Sequence, residues 1–193
     1  MATHAGPLTA KPTADRVTDP CRRFLTGYPE PLLAQVRQQL AEGRLGDDLA
    51  RRYPERHAVR TDAALYDHVT ALKSRYLRNA SALAKVVFDS RLQVDQRALG
   101  TLTTVSRVQG GRLTAKREVR VAALFKDAPA ALLQMIVVHE LAHLKEREHN
   151  KPFYALCEHM LTGYHQIEFD TRLYLTWRAS EGAAAQPADG LAD

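Results

Sequence analysis

The sequence predicts an α+β protein: a small, mostly antiparallel sheet packed on one strongly apolar helix, with extra helices on its N-terminal side. Three observations carry this. Apolar residues recur at helical spacing within the first 80 residues. β-Branched runs then flank a Gly-Gly pair between residues 100 and 125. After them comes "APAALLQMIVVHELAHL", apolar on nearly every side, as a buried helix must be.

Residues 1–20, rich in Thr, Ala, Pro and charge, read as a flexible tail. An N-terminal helical region follows over residues 21–80. In it Leu32, Leu33, Val36 and Leu40 share a face, and Gly43 and Gly46 end that segment. A second helix starts at Thr61 or Asp62, either of which can cap it, and places Leu65, Val69, Leu72 and Tyr76 together. Residues 81–180 form the main domain. "KVVF" is a short strand, and "GTLTTVSRVQGGRLTAKREVRVAALF" is a hairpin or close strand pair turning at Gln109-Gly110-Gly111. The apolar helix opens at Asp127 or Ala128, with Pro129 in its first turn, where a missing N–H does no harm. Ile167, Leu173, Leu175 and Trp177 mark a last amphipathic helix, and residues 181–193 a second flexible tail.

Composition excludes some classes. The chain has 193 residues, 45% of them hydrophobic and 25% charged, as in soluble globular proteins. No apolar run nears the ~18 residues of a membrane span, so no membrane partner is expected. The N-terminal stretch lacks the apolar core of a secretory signal. Cys21 and Cys157, the two cysteines, make neither a disulfide framework nor a thiolate metal site, so a cytoplasmic setting is expected. The net charge of +5 is concentrated between residues 91 and 120, where seven cations face only Asp95 and Glu118. Such a stretch suits nucleic acid or an acidic substrate, but no nucleic-acid motif accompanies it, and a solvated strand face is the favoured reading.

Chemistry enters at "HELAHLKEREHNKPFY", residues 139–154. His139 and His143 are four apart and so lie on one helical face, where two imidazoles can bind one metal ion. Glu140, beside the first, can reach a water on that metal as general base. With 8 His in the chain, such a match arises by chance in roughly 2% of chains of this composition. A metal-dependent hydrolase needs a third protein ligand. His149 can serve only if the helix ends soon after His143 and the chain turns back, which "KEREHNKP" permits through a left-handed Asn150 and the block at Pro152. Glu158, His159, His165 and Glu168 are its rivals.

"VVHELAHLKEREHNKPFYAL" resembles the signature of the YgjP-like metallopeptidases, distantly similar to the SprT-like and WLM zincins. "SRVQGGRLTAKREVRVAALFKDAP" resembles the strand pair that precedes it, so the likeness spans about residues 84–176. The resemblance implies a zincin-like domain with one Zn2+ per chain on His139, His143 and His149, and Glu140 as catalytic base. It departs from the family in Glu148 before the third histidine and in Phe153-Tyr154 after it. The implied activity is a peptidase acting on peptide or unfolded protein, with Tyr154, Tyr164 and His165 as candidate oxyanion donors. Zincins pair substrate with an edge strand, which the resemblance places at residues 119–125, with Val119 and Val121 inward and Arg120 outward. Two alternatives accompany this reading: a non-catalytic zinc-containing binding module, and a DNA-associated protease using the basic stretch.

Overall fold

A computed structural model describes residues 19–92, 100–109 and 112–184; of 104–109, 112–116 and 183–184 it describes the backbone alone. The basic side chains of Arg97, Arg107, Arg112 and Lys116, the Gly110-Gly111 turn and residues 1–18 and 185–193 of the expected tails lie outside the described residues; the remaining tail positions are ordered, since Asp19 and Pro20 begin the first helix and residues 181–184 extend the last.

Helix α1 (Pro20–Phe24) starts at Asp19, whose carboxylate accepts the Cys21 N–H at 3.0 Å. Helix α2 (Glu30–Ala41) presents Leu33 and Val36 inward, as the spacing predicts. Gly43 then adopts φ 68°, the left-handed turn that a glycine tolerates best. Gly46 departs from expectation. It does not end a segment but sits inside helix α3 (Arg44–Arg52). A Cβ there would lie 2.6 Å from the Trp177 ring, so the glycine marks close packing rather than a stop. Helix α4 (Asp62–Tyr76) is capped by Thr61, which accepts from the Ala64 N–H.

Three strands follow: β1 (Leu83–Asp89), β2 (Gly100–Gln109) and β3 (Arg112–Ala122). The order is β1-β3-β2, with β1 parallel and β2 antiparallel to β3. This corrects the placement of the substrate strand. β3 is central, so the backbone of Val119, Arg120 and Val121 is committed on both sides, to Val86–Phe88 and to Gly100–Leu102. Val119 and Val121 do point inward, both fully buried. Arg120 is not free for substrate, since Asp89 and Glu118 hold its guanidinium. The strand ends at Ala122, and residues 123–127 form a 3-10 turn instead of its continuation.

Helix α5 (Ala130–Ala142) is N-capped by Pro129 and buries nine of its 13 residues. Each large apolar side chain so buried contributes ~1.5–3 kcal/mol, which makes this helix the axis of the core. Helix α6 (Lys151–Met160) and helix α7 (Tyr164–Ala184) complete the chain. Buried residues of α1 to α4 belong to the same apolar cluster as those of α5 to α7, so the N-terminal helices share one core with the rest. A buried clamp ties α3 to α7: Asp170, 0% exposed, accepts two bonds from Arg52 (2.7 and 2.8 Å) and one from the Tyr53 hydroxyl (2.7 Å). No described helix is long and apolar enough to cross a membrane.

Candidate metal centre

Helix α5 stops where the motif needs it to stop. His143 is its C-cap residue, and the chain reverses over residues 144–150. Asn150 makes the second corner, though not in the left-handed conformation expected of it. It is extended (φ −99°) and caps α6, accepting the Phe153 N–H, while Pro152 occupies the first turn. His149, just ahead of that cap, is thereby carried back over α5.

The three imidazoles converge. His149 Nε2 lies 3.1 Å from His139 Nε2 and 3.1 Å from His143 Nε2. A tetrahedral ion with bonds of ~2.1 Å would separate such nitrogens by ~3.4 Å, so the triad has the size of a metal site. Among the described residues it forms the one cluster able to hold an ion. Proton placement agrees. His143 Nδ1 faces the Glu146 carbonyl at 2.9 Å, which can only accept, so Nδ1 carries the proton and Nε2 keeps a lone pair. His139 Nδ1 lies 2.7 Å from the Tyr164 hydroxyl. That hydroxyl donates to Cys157, leaving its oxygen to accept from His139. Burial, then His143 and His149, pushes His139 down to about 3, so it stays neutral. Burial also lowers His149, the exposed member. His139 and His143 thus each turn an Nε2 lone pair toward the point where His149 Nε2 also lies, and the three-imidazole donor set fits a divalent metal. Phe153, fully buried, forms the floor, with ring centroids 5.0, 4.7 and 4.7 Å from His139, His143 and His149.

Glu140, beside His139 on α5, lies under β2. It is 2% exposed and accepts the Leu102 backbone N–H. Burial pushes its carboxyl up to about 8 against that bond. Gly100 is why the strand comes so close: a Cβ there would stand 2.7 Å from Glu140 Oε1. Leu102 faces Val119 across the ladder, yet its N–H turns outward to the carboxylate, so Glu140 sits at the outer edge of β2.

Tyr154, Tyr164 and His165, the other candidates, contact one another beside the triad. Tyr164 is fully buried and its hydroxyl is engaged by His139 and Cys157, so it acts through His139 and is no donor to substrate. Tyr154 is half-buried beside His149, with centroids 6.3 Å apart, and exposed His165 lies 5.1 Å from Tyr154. The rival ligands are occupied elsewhere. Glu158 accepts the N–H groups of Gly163 and Tyr164, His159 packs on Tyr76, and Glu168 pairs with Arg172. Sequence reasoning missed Gly100, the Leu102 N–H and the Glu146 carbonyl, none of which carries a reactive side chain in its role. Phe153 was read only as part of an aromatic pair.

Comparison with known proteins bears on this geometry. Residues 68–171 match the YgjP-like metallopeptidase domain. The chain is 59% identical over 153 residues to the UTP pyrophosphatase of Escherichia coli (strain K12), covering 79% of this chain and 92% of that relative. No solved structure matches it.

Proposed function

Because the chain belongs to the YgjP-like metallopeptidase family, and is thus a hydrolase of a metal-dependent kind, we propose that it uses zinc to split UTP into UMP and pyrophosphate. The observation that carries this reading is the 59% identity to a UTP pyrophosphatase over 92% of that relative's length. Charge supports it. The excess of cations falls in the segment holding β2 and β3, and a nucleoside triphosphate is strongly anionic.

A zinc ion on His139, His143 and His149 would supply a Lewis acid that acidifies water, offsets phosphate charge and favours ionised Glu140. Tyr164 and the Glu146 carbonyl hold the imidazoles in the tautomer that offers Nε2. Glu140, fixed by the Leu102 N–H, takes the proton of the attacking water. The water oxygen bonds to the α-phosphorus as the bond to the β-phosphate bridging oxygen breaks. Pyrophosphate leaves as a weakly basic anion, so Glu140 need not protonate it, as it would an amine. Two unpaired, buried cysteines support a reducing, cytoplasmic setting.

Cleavage of extended polypeptide is a second reading, favoured by one observation: β2 is an edge strand in the described sheet and lies against Glu140. One experiment separates the two. Purified protein carrying about one zinc per chain is given UTP and, separately, unfolded casein. UMP and pyrophosphate in equal amounts, lost on chelation and in His139→Ala, are expected. Intact UTP with a full complement of zinc overturns the proposal, and casein fragments in its place establish the second reading.

A further inference from the structure

The three imidazoles are not anchored alike. Behind His143 stands the Glu146 carbonyl, three residues further along the same turn and 2.9 Å from Nδ1. Behind His139 stands the Tyr164 hydroxyl, 2.7 Å from Nδ1 but 25 residues away and on another helix. The place of that hydroxyl is decided at the corner between α6 and α7. Tyr164 is the first residue of α7, and Gly163 before it turns the corner at φ 77°. A glycine in that position has no side chain to take up the first N–H groups of the helix. Glu158, in the last turn of α6, takes them up instead. One carboxylate oxygen accepts the Gly163 N–H at 2.7 Å and the other the Tyr164 N–H at 2.9 Å. A negative group also suits the positive end of a helix of 21 residues.

We propose that Glu158 is a positioning residue of the metal centre: by fixing the start of α7 it holds the Tyr164 hydroxyl behind His139, and so sets how tightly the triad keeps its metal. The proposal rests on the metal reading of the triad and holds whichever substrate is split. A metal taken at Nε2 leaves the proton of a neutral imidazole on Nδ1, and for His139 the Tyr164 oxygen accepts it. Tyr164 is fully buried, so its ring moves with its backbone. A shift of about one ångström carries a 2.7 Å contact out of hydrogen-bond range and leaves a buried N–H unpaired. Phe153, packed against His139 at 5.0 Å between ring centroids, has no polar group to replace it. Both oxygens of Glu158 face the corner, so it acts through Tyr164 and not as a ligand.

Zinc dissociation constants, measured on the full chain in competition with a chromophoric chelator, test this. Tyr164→Phe should weaken zinc binding by about 10- to 100-fold. Glu158→Ala should weaken it by about tenfold, and Glu158→Gln, which keeps one acceptor oxygen, by less. In the Tyr164→Phe background Glu158→Ala should add less than about twofold, because the group through which it acts is gone. In zinc-loaded, 15N-labelled protein the His139 Nδ1–H resonance should move upfield and exchange faster in Glu158→Ala than in wild type. Should Glu158→Ala not fold, Glu158→Gln in both backgrounds carries the same test. A wild-type zinc constant in the Glu158 variants removes this residue from the metal centre and overturns the proposal. An equal loss in both backgrounds makes it a helix cap alone and overturns the proposal as well. Wild-type protein that takes up no zinc overturns the metal reading and the proposal together.

Discussion

Glu140 and His149 stand on two flanks of the metal centre, and the flanks are built differently. On the inner flank a 2%-exposed carboxylate is held by a backbone N–H, and the neighbouring strand approaches only because residue 100 has no Cβ. On the outer flank an exposed imidazole is followed by tyrosines and an Arg–Glu pair, all partly open to solvent. Backbone and glycine fix one geometry and cannot adapt to a new ligand. Side chains at a rim can change without disturbing the core. The inner flank is suited to moving a proton at a fixed point, the outer one to choosing what is brought there.

This contrast can be broken most sharply at Glu140. Glu140→Gln keeps the shape and the Leu102 contact but cannot take a proton. Turnover should fall by at least ~10²-fold while metal content by mass spectrometry stays at the wild-type level. Loss of metal would instead make Glu140 part of the ligand set. Next is Gly100→Ala, whose methyl would meet the carboxylate at 2.7 Å. We expect kcat to fall by about tenfold and stability by ~1–3 kcal/mol, read by urea unfolding. Wild-type kcat in this variant would show that the base tolerates displacement and that the inner flank is not rigid.

The smallest effect is a pH slope in the metal-free protein. Burial raises Glu140 from 4.5 to about 8, so between those values the folded chain holds a proton that the unfolded chain has released. Stability therefore declines as pH rises across that window. His139 opposes it lower down. Its folded pKa drops from 6.5 to about 3, chiefly by burial, so stability declines as pH falls from 6.5 toward 3. Between pH 6.5 and 8 Glu140 should be the group of the two that acts, with a slope of at most ~1.4 kcal/mol per pH unit. Unfolding in urea at both ends of that interval should show the decline in wild type and a flatter response in Glu140→Gln. Equal slopes in the two proteins would mean that the carboxylate is less buried than its setting implies.

What was legible in the sequence followed range. The metal helix, its two histidines and Glu140 depend on spacings of one to four residues, and one apolar run displays them. The return of His149 was legible through Pro152, although Asn150 works as an N-cap and not as a left-handed corner. The sheet was legible as strands but not as an order. Nothing local tells β3 that β1, beyond a connection of some 20 residues, will pair with it in parallel, and so the central strand was taken for an edge. Gly46 misled for a similar reason, because the group that excludes its Cβ is Trp177, 131 positions on. Tyr164 was noticed for its hydroxyl, but its place behind His139 depends on the corner between α6 and α7, where Glu158 gathers the Gly163 and Tyr164 N–H groups.

The Asp170 clamp sets a lower limit on how far this protein can be dissected. The family match ends just past Asp170, yet it begins after Arg52 and Tyr53, which neutralise and hydrogen-bond that carboxylate. A fragment trimmed to the matched residues would carry a fully buried anion stripped of its counter-ion. Losing one partner of such a pair costs ~3–5 kcal/mol, against the ~5–15 kcal/mol that holds a whole domain together. The smallest autonomous fragment must therefore begin upstream of residue 52. Fusions, domain grafts and mutant libraries should treat the N-terminal helices as inseparable from the metal centre.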